Sequence, residues 1–325
     1  MSGAQDGQAA LAALAAGGKA ALARALARIE TRPDAPETAA LLDAAWAAPR
    51  GQALGLTGPP GVGKSTLTDA LIRAFRARGL RVAVIAVDPS SRRSGGALLG
   101  DRTRLSTDPE DDGVFVRSMA ARDRLGGLAD AAWPTLVLMR ALHDVVIVET
   151  VGVGQSETEI EDVADTVVFC AQPGAGDALQ FMKAGVAEIP HLAVVTKADM
   201  GASARRAVAD LKGALSLAAP GAEAVAVLSC SAATGEGVDD LVGALLARGA
   251  ALAAGGGRAG ALSARRAAQA RAWLRRSMTA AFGAEGFARL APFLDCLEGA
   301  RAPFRVAAAA KTRARQALDV GFAPQ

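Results

Sequence analysis

The chain has 325 residues, enough for one large domain with additions or for two modest ones. Its 36 basic and 33 acidic residues leave a formal charge of +3, too balanced to make nucleic acid or an anionic membrane the main partner. Hydrophobic residues reach 51%, much of it Ala, while aromatics stay at 4% with no Tyr, so the composition reads as a close-packed, largely helical Ala/Leu protein.

In chain order, Met1 to about Gly18 reads as frayed or weakly helical. Ala20–Glu30 and Ala35–Ala48 carry helical spacing through Leu22, Leu26 and Ile29, then Leu41, Leu42 and Trp46, with Pro33 and Pro36 between them. A different grammar starts at Ala53. Short apolar runs at Ala53–Thr57, Arg81–Val87, Val114–Arg117, Asp144–Thr150, Thr166–Ala171, His191–Thr196 and Ala224–Ser229 predict strands. Helices are predicted over Lys64–Arg78, Gly127–Leu142, Asp177–Ala187, Ala202–Ala218 and Val238–Leu246. Continuous apolar strands separated by helix-length connections predict an α/β fold, a predominantly parallel sheet covered by helices on both faces. Ser90–Pro109 is polar, without periodicity, and reads as a long functional loop.

After the Gly run in Ala253–Gly260 come three predicted helices, Ala261–Phe282, Glu285–Glu298 and Phe304–Val320. The expected division is an N-terminal helical extension over 1–50, a nucleotide domain over 51–252 and a C-terminal helical region over 253–325. Cys170, Cys230 and Cys296 are far apart, without metal-ligand spacing, and read as small hydrophobes in a reducing compartment. His143 and His191 each open a strand-like run, which argues against a His-built metal site. No apolar run reaches membrane-spanning length, so the expected compartment is the cytoplasm.

Gly58-Pro59-Pro60-Gly61-Val62-Gly63-Lys64-Ser65, followed by Thr66, has the complete P-loop spacing between a predicted strand and a predicted helix. Glycines let backbone N–H groups converge on phosphate oxygens, and the helix terminus adds unpaired donors. Lys64 is placed to bridge the β- and γ-phosphates, and Ser65 to coordinate Mg²⁺. Asp88, just beyond the second predicted strand, and Glu149, at the end of the fourth, are further candidates for the magnesium side, with strand-end solvation or capping as the alternative. Asp101, in the long polar loop, is a third candidate, with a plain surface charge as its alternative. Gly152 and Gly154 permit close backbone approach to a γ-phosphate. Gln155 follows them as a candidate to position water, or else to hydrogen-bond within or between subunits.

"AVVTKADM", Ala193–Met200, follows a strand and addresses the base. Asp199 can accept from guanine N1–H and its exocyclic amine, a donor pair that adenine lacks. Lys197 can lay its stem over the base and extend its charge toward the P-loop. In "SCSAATGEG", Ser231 and Ala232 can shape the base pocket, the Ala232 N–H near guanine O6. Bound GTP or GDP with Mg²⁺ is the expectation.

These residues, with "VAVIAVDPSSRRSGGALLGDRTRL", "VVIVETVGVGQSETE" and "PGAGDALQFMKAGVAEIPHLAVVTKAD", make a chain that resembles the methylmalonyl-CoA mutase-associated GTPases (MeaB) over about Ala20–Ser277. This is a G3E branch of the P-loop GTPases, also called lysine/arginine/ornithine transport-system kinases. The resemblance implies a homodimer with C-terminal helices that help dimerisation. It places Asp88 and Asp101 in the first switch, Glu149 with Val151–Gly154 in the second, and Thr196, Lys197 and Asp199 in the guanine motif. It further implies a slow GTPase that binds a coenzyme B12-dependent acyl-CoA mutase, methylmalonyl-CoA mutase or a relative. Such a protein gates adenosylcobalamin delivery and protects or reactivates the mutase. Adenosylcobalamin belongs to that partner, and a cobalamin adenosyltransferase is a further expected partner. Two departures stand out. Thr196 replaces the usual Asn of the guanine motif, and Arg93 and Ser94 replace the usual Pro and Thr of the first switch string. Two other readings are a kinase of a transport component, for which no acceptor base or pocket is evident, and a metal-inserting GTPase, for which no cargo site is evident.

Overall fold

The computed structural model describes residues 2–88, 105, 107–120, 131–150, 159–174, 189–218, 225–254, 261–294 and 302–321. The chain divides into two compact units that are not consecutive in sequence. One comprises Gly51–Ala129 and His143–Leu262; the other comprises Met1–Arg50, Asp130–Leu142 and Ser263–Gln325.

The first unit is built on a sheet of seven strands: β1 (Gln52–Thr57), β2 (Val82–Asp88), β3 (Val114–Ala120), β4 (Val145–Glu149), β5 (Thr166–Ala171), β6 (Leu192–Val195) and β7 (Ala226–Ser229). Their spatial order is β3-β2-β4-β1-β5-β6-β7, and every pairing is parallel. Each apolar run expected to form a strand does so, and the sheet is wholly rather than mainly parallel among the described residues. β3 runs past Arg117 to Ala120 because it pairs along all of β2. Asp88 is accordingly the last residue of β2, opposite Ala120, and not a residue beyond it.

Strand alternation splits the buried side chains between two faces. Leu54, Leu56, Ile147, Val168, Cys170 and Val194 pack with α4 (Lys64–Ala77), through Leu67, Leu71 and Phe75, and with α7 (Val238–Ala253), through Leu241, Val242 and Leu245. Phe169, Ala171, Ala193 and Val195 face the other way, onto Ala204, Leu211 and Leu215 of α6 (Ala202–Ala218). Burial on both faces explains why these strands are continuous apolar runs. Parallel strands also bring all seven C-terminal ends to one edge, where α/β sheets of this kind bind ligands.

The second unit is helical, with α1 (Ser2–Ala16), α2 (Gly18–Thr31), α3 (Pro36–Ala47), α5 (Ala132–Leu142), α8 (Ala261–Leu294) and α9 (Pro303–Gly321). α5 follows the sheet's β3 in sequence but packs with the terminal helices. The N-terminal stretch read as frayed or weakly helical forms the helix α1. Its Gly7 lies so close to α3 that a Cβ there would sit 2.3 Å from the Ala40 carbonyl oxygen, so packing overrides the low helix propensity of glycine. α8 breaks at Gly283 (φ 72, ψ 173), close to the expected gap between two helices. The three Trp of the chain gather here. Trp133 lies 5.6 Å from Trp46, 4.9 Å from Trp273 and 5.1 Å from Phe304 between ring centroids. Asp43 of α3 caps α9, accepting from the Phe304 N–H (2.9 Å), the Arg305 N–H (3.2 Å) and Arg305 Nε (2.8 Å). Burial raises its carboxyl above the usual range, against the opposing pull of Arg305 and the backbone donors. The expected helix over 177–187 and most of the expected loop over 90–109 lie outside the described residues.

Candidate functional site

β1 ends at Thr57 and α4 begins at Lys64, so Gly58–Gly63 form the turn between the central strand and a helix N-terminus. Gly58, Gly61 and Gly63 all have positive φ, and two of them show why glycine stands there. Gly58 (φ 136) passes so near β5 that a Cβ would stand 2.2 Å from the Cys170 carbonyl oxygen. Gly63 precedes α4 in the left-handed conformation (φ 92, ψ 28). Val62 is fully buried, Gly61 exposed and Thr66 exposed as the third residue of α4.

Lys64 folds back over the turn. Its buried ammonium donates to the carbonyls of Gly58 (2.6 Å) and Pro59 (3.0 Å). Glu149, at the end of β4 and only 5% exposed, accepts from the Ser65 hydroxyl on one oxygen and from Thr68 Oγ1 on the other (3.2 Å). An ammonium, a hydroxyl and a buried carboxylate thus converge at the start of α4. The oxygen donors are hard and adjacent, which fits a small divalent cation, Ser65 and Glu149 being the residues that would hold it. Thr68 was not legible in the sequence. The only signal was a polar residue one helical turn beyond Ser65 on a face otherwise apolar.

The residues expected to address the base lie at the ends of β5, β6 and β7. Thr196, following β6, is buried. Its N–H donates to the Ala171 carbonyl (2.8 Å), and its hydroxyl lies 2.6 Å from the Val62 carbonyl and 3.0 Å from that of Ala171. Lys197 adopts the left-handed conformation (φ 57, ψ 45), and its ammonium donates to the Gln172 side chain rather than reaching the P-loop. Asp199 sits on the short 3-10 helix Ala198–Met200, exposed, with no hydrogen bond to its carboxylate among the described residues. Ser231 is buried, its N–H donating to the Glu236 carbonyl (2.8 Å) and its Oγ accepting from the Thr234 N–H (3.3 Å), with half-buried Ala232 next to it. The Ala198 N–H donates to the Cys230 carbonyl (3.1 Å), joining the two base-side loops.

Gly58, Gly61, Val62, Gly63, Lys64, Ser65, Thr66, Glu149, Thr196, Lys197, Asp199, Ser231 and Ala232 therefore all lie at the carboxyl edge of one sheet or in the turns leaving it. Asp101, Gly152 and Gln155 lie outside the described residues, as does the side chain of Asp88. Cys170 and Cys230, behind the turn, are fully buried. Burial pushes their thiols up to about 12 and about 11, the nearby Lys64 pulling Cys170 slightly back.

An all-parallel sheet with this turn at its centre defines the α/β P-loop fold. The chain belongs to the methylmalonyl-CoA mutase-associated GTPase family (MeaB), whose model matches residues 22–286. A Caulobacter vibrioides protein described as a GTPase is 40% identical over 80% of this chain and 81% of its own. A second relative, from Pyrococcus abyssi and also described as a GTPase, is 54% identical over 147 residues, about half of each chain (45%). The mouse mitochondrial methylmalonic aciduria type A homolog is 39% identical over 58% of this chain and 46% of its own. Among solved structures, an LAO/AO transport system kinase superposes with a TM-score of 0.64 at 29% identity, covering 94% of this chain and 96% of that one.

Proposed function

We propose that this protein binds GTP with Mg²⁺, hydrolyses it slowly, and uses the difference between its GTP and GDP forms to gate adenosylcobalamin loading of a B12-dependent acyl-CoA mutase. Protection or reactivation of that mutase follows from the same gating. The observation that carries the nucleotide reading is the cluster of Lys64, Ser65 and Glu149 at the start of α4. Membership of the mutase-associated family and the mouse relative support the choice of partner.

In this reading the backbone N–H groups of Gly61–Ser65 hold the phosphates, and Lys64 exchanges its loop carbonyls for phosphate oxygens. Ser65 turns its hydroxyl oxygen toward the cation, and Glu149 stays in place because Thr68 still donates to it. A magnesium ion bound there neutralises charge that develops on the phosphate oxygens. Asp199 accepts from guanine, and Ser231 and Ala232 shape the pocket around it. Gln155 is our candidate to orient water, with Gly152 against the γ-phosphate and Asp88 and Asp101 on the magnesium side. No residue here is a strong general base, so a low intrinsic rate is expected, raised when the mutase arranges the switch segments. A cytoplasmic homodimer is the working assembly, with a cobalamin adenosyltransferase as a second partner.

The test is calorimetric titration of a B12-dependent acyl-CoA mutase into the protein loaded with a nonhydrolysable GTP analogue and, separately, with GDP. A gate requires unequal affinities, and a tenfold difference corresponds to about 1.4 kcal/mol. Equal affinities, with no nucleotide effect on cobalamin transfer, would refute the gating role.

A further inference from the structure

One hydroxyl joins the phosphate side of the site to the base side. Thr196 Oγ1 stands between two carbonyl oxygens, Val62 of the P-loop at 2.6 Å and Ala171 at the end of β5 at 3.0 Å. The residue is 5% exposed, and its own N–H is also bound to Ala171. Lys197, next in sequence, is the sole non-glycine residue with positive φ among the described residues, and it is tied to Gln172, next after Ala171. Such a conformation is strained for a residue with a side chain and persists where the surroundings over-determine it. The start of the base loop is therefore anchored twice to the end of one strand and once to the phosphate loop.

The chemistry of the three oxygens limits what Thr196 can do. Both neighbouring atoms are carbonyl oxygens, which only accept, and a threonine hydroxyl carries a single proton. That proton is directed within the protein, toward Val62 at the shorter distance. The imidazole-ring edge of a purine offers N7, and guanine adds O6, both acceptors. A residue that reads them needs a donor, and Thr196 has none to spare. We propose that Thr196 is a positioning residue that ties the phosphate loop to the base loop and donates no hydrogen bond to the purine. Guanine selection then falls to Asp199 and the 231–232 turn. The inference rests on the reading of this edge as a guanine-nucleotide site.

The test compares GDP with 7-deaza-GDP, which lacks the N7 acceptor, by calorimetry on the wild-type chain, Thr196→Val and Thr196→Ser, each checked for a cooperative thermal transition. Thr196→Val should weaken both ligands by about tenfold or more, since the Val62 carbonyl of the phosphate loop loses its donor next to the site. The ratio between the two ligands should be the same in the variant as in the wild type. Thr196→Ser, which keeps the hydroxyl, should restore affinity to within about threefold of wild type. A 7-deaza penalty present in the wild type and abolished in Thr196→Val would place the hydroxyl on the base and overturn the proposal. Wild-type affinity in a folded Thr196→Val would overturn it too, as would an equal loss in Thr196→Ser. Should Thr196→Val not fold, Thr196→Ala takes its place in the same GDP and 7-deaza-GDP comparison. A folded wild type that binds no GDP would instead remove the nucleotide reading on which the proposal stands.

Discussion

Replacing Glu149 by Gln separates what this carboxylate does for the fold from what it does for the ligand. Its two oxygens accept from Ser65 and from Thr68. Hydrogen bonds to a charged acceptor are worth about 1.5–3 kcal/mol each, but a carboxylate that is 5% exposed also carries a desolvation cost of several kcal/mol. Gln keeps the shape, accepts one hydroxyl on its oxygen and lets the other rotate to accept from the amide, so stability should change by less than about 1 kcal/mol in either direction. The cation site is a different matter. Loss of a negative group beside a divalent ion typically lowers metal affinity by about 10–100-fold. The assay is fluorescent GTP-analogue binding titrated with Mg²⁺, alongside thermal melts without ligand. Glu149→Gln should melt near wild type and need at least about tenfold more Mg²⁺ for half-maximal triphosphate binding. An unchanged Mg²⁺ requirement in a folded variant would refute the placement of the ion, whatever the melting temperature.

Lys64→Ala should abolish detectable GTP binding or hydrolysis while leaving the sheet folded, since water can serve the Gly58 and Pro59 carbonyls that its ammonium bonds once the side chain is gone; phosphate release and circular dichroism check both halves. Asp199→Ala should narrow GTP-over-ATP selectivity by about 1–3 kcal/mol, read by competition binding, and retained selectivity would remove Asp199 from the base site. Cys170 and Cys230 should resist alkylation near neutral pH, as mass mapping of labelled peptides would show. Their folded-state ionisation lies above the unfolded one, so the stability they contribute is complete below about pH 8.5 and is lost as pH rises through about 11 to about 12. Urea melts across that range should show the decline, and Cys170→Ala with Cys230→Ala should flatten it.

The strands were legible because burial on both faces leaves no room for polar residues, and Thr166–Ala171 matches its predicted span end to end. The P-loop was legible because its geometry depends on residue type, as Gly58 against Cys170 and left-handed Gly63 make plain. Tertiary relations were not. α1 is a helix because Gly7 fits against Ala40, information held 33 residues further along the chain. α5 packs with the terminal helices through Trp133, and nothing in its own spacing names Trp46, Trp273 or Phe304 as neighbours. Thr68 reaches Glu149 only because β4 lies beside β1, a pairing that the parallel grammar allows without selecting. Lys197 illustrates the opposite limit. Its place in the turn after β6 was readable, yet its ammonium engages Gln172, a partner set by the register of β5 against β6.

The central claim is that the edge formed by β1, β4, β5, β6 and β7 takes a guanine nucleotide together with magnesium. Calorimetric titration of the folded protein with GTP and with ATP, each with and without Mg²⁺, tests it most directly. The account predicts saturable, Mg²⁺-dependent GTP uptake, with ATP weaker by about tenfold or more. No heat of GTP binding, or equal affinity for the two nucleotides, would contradict it.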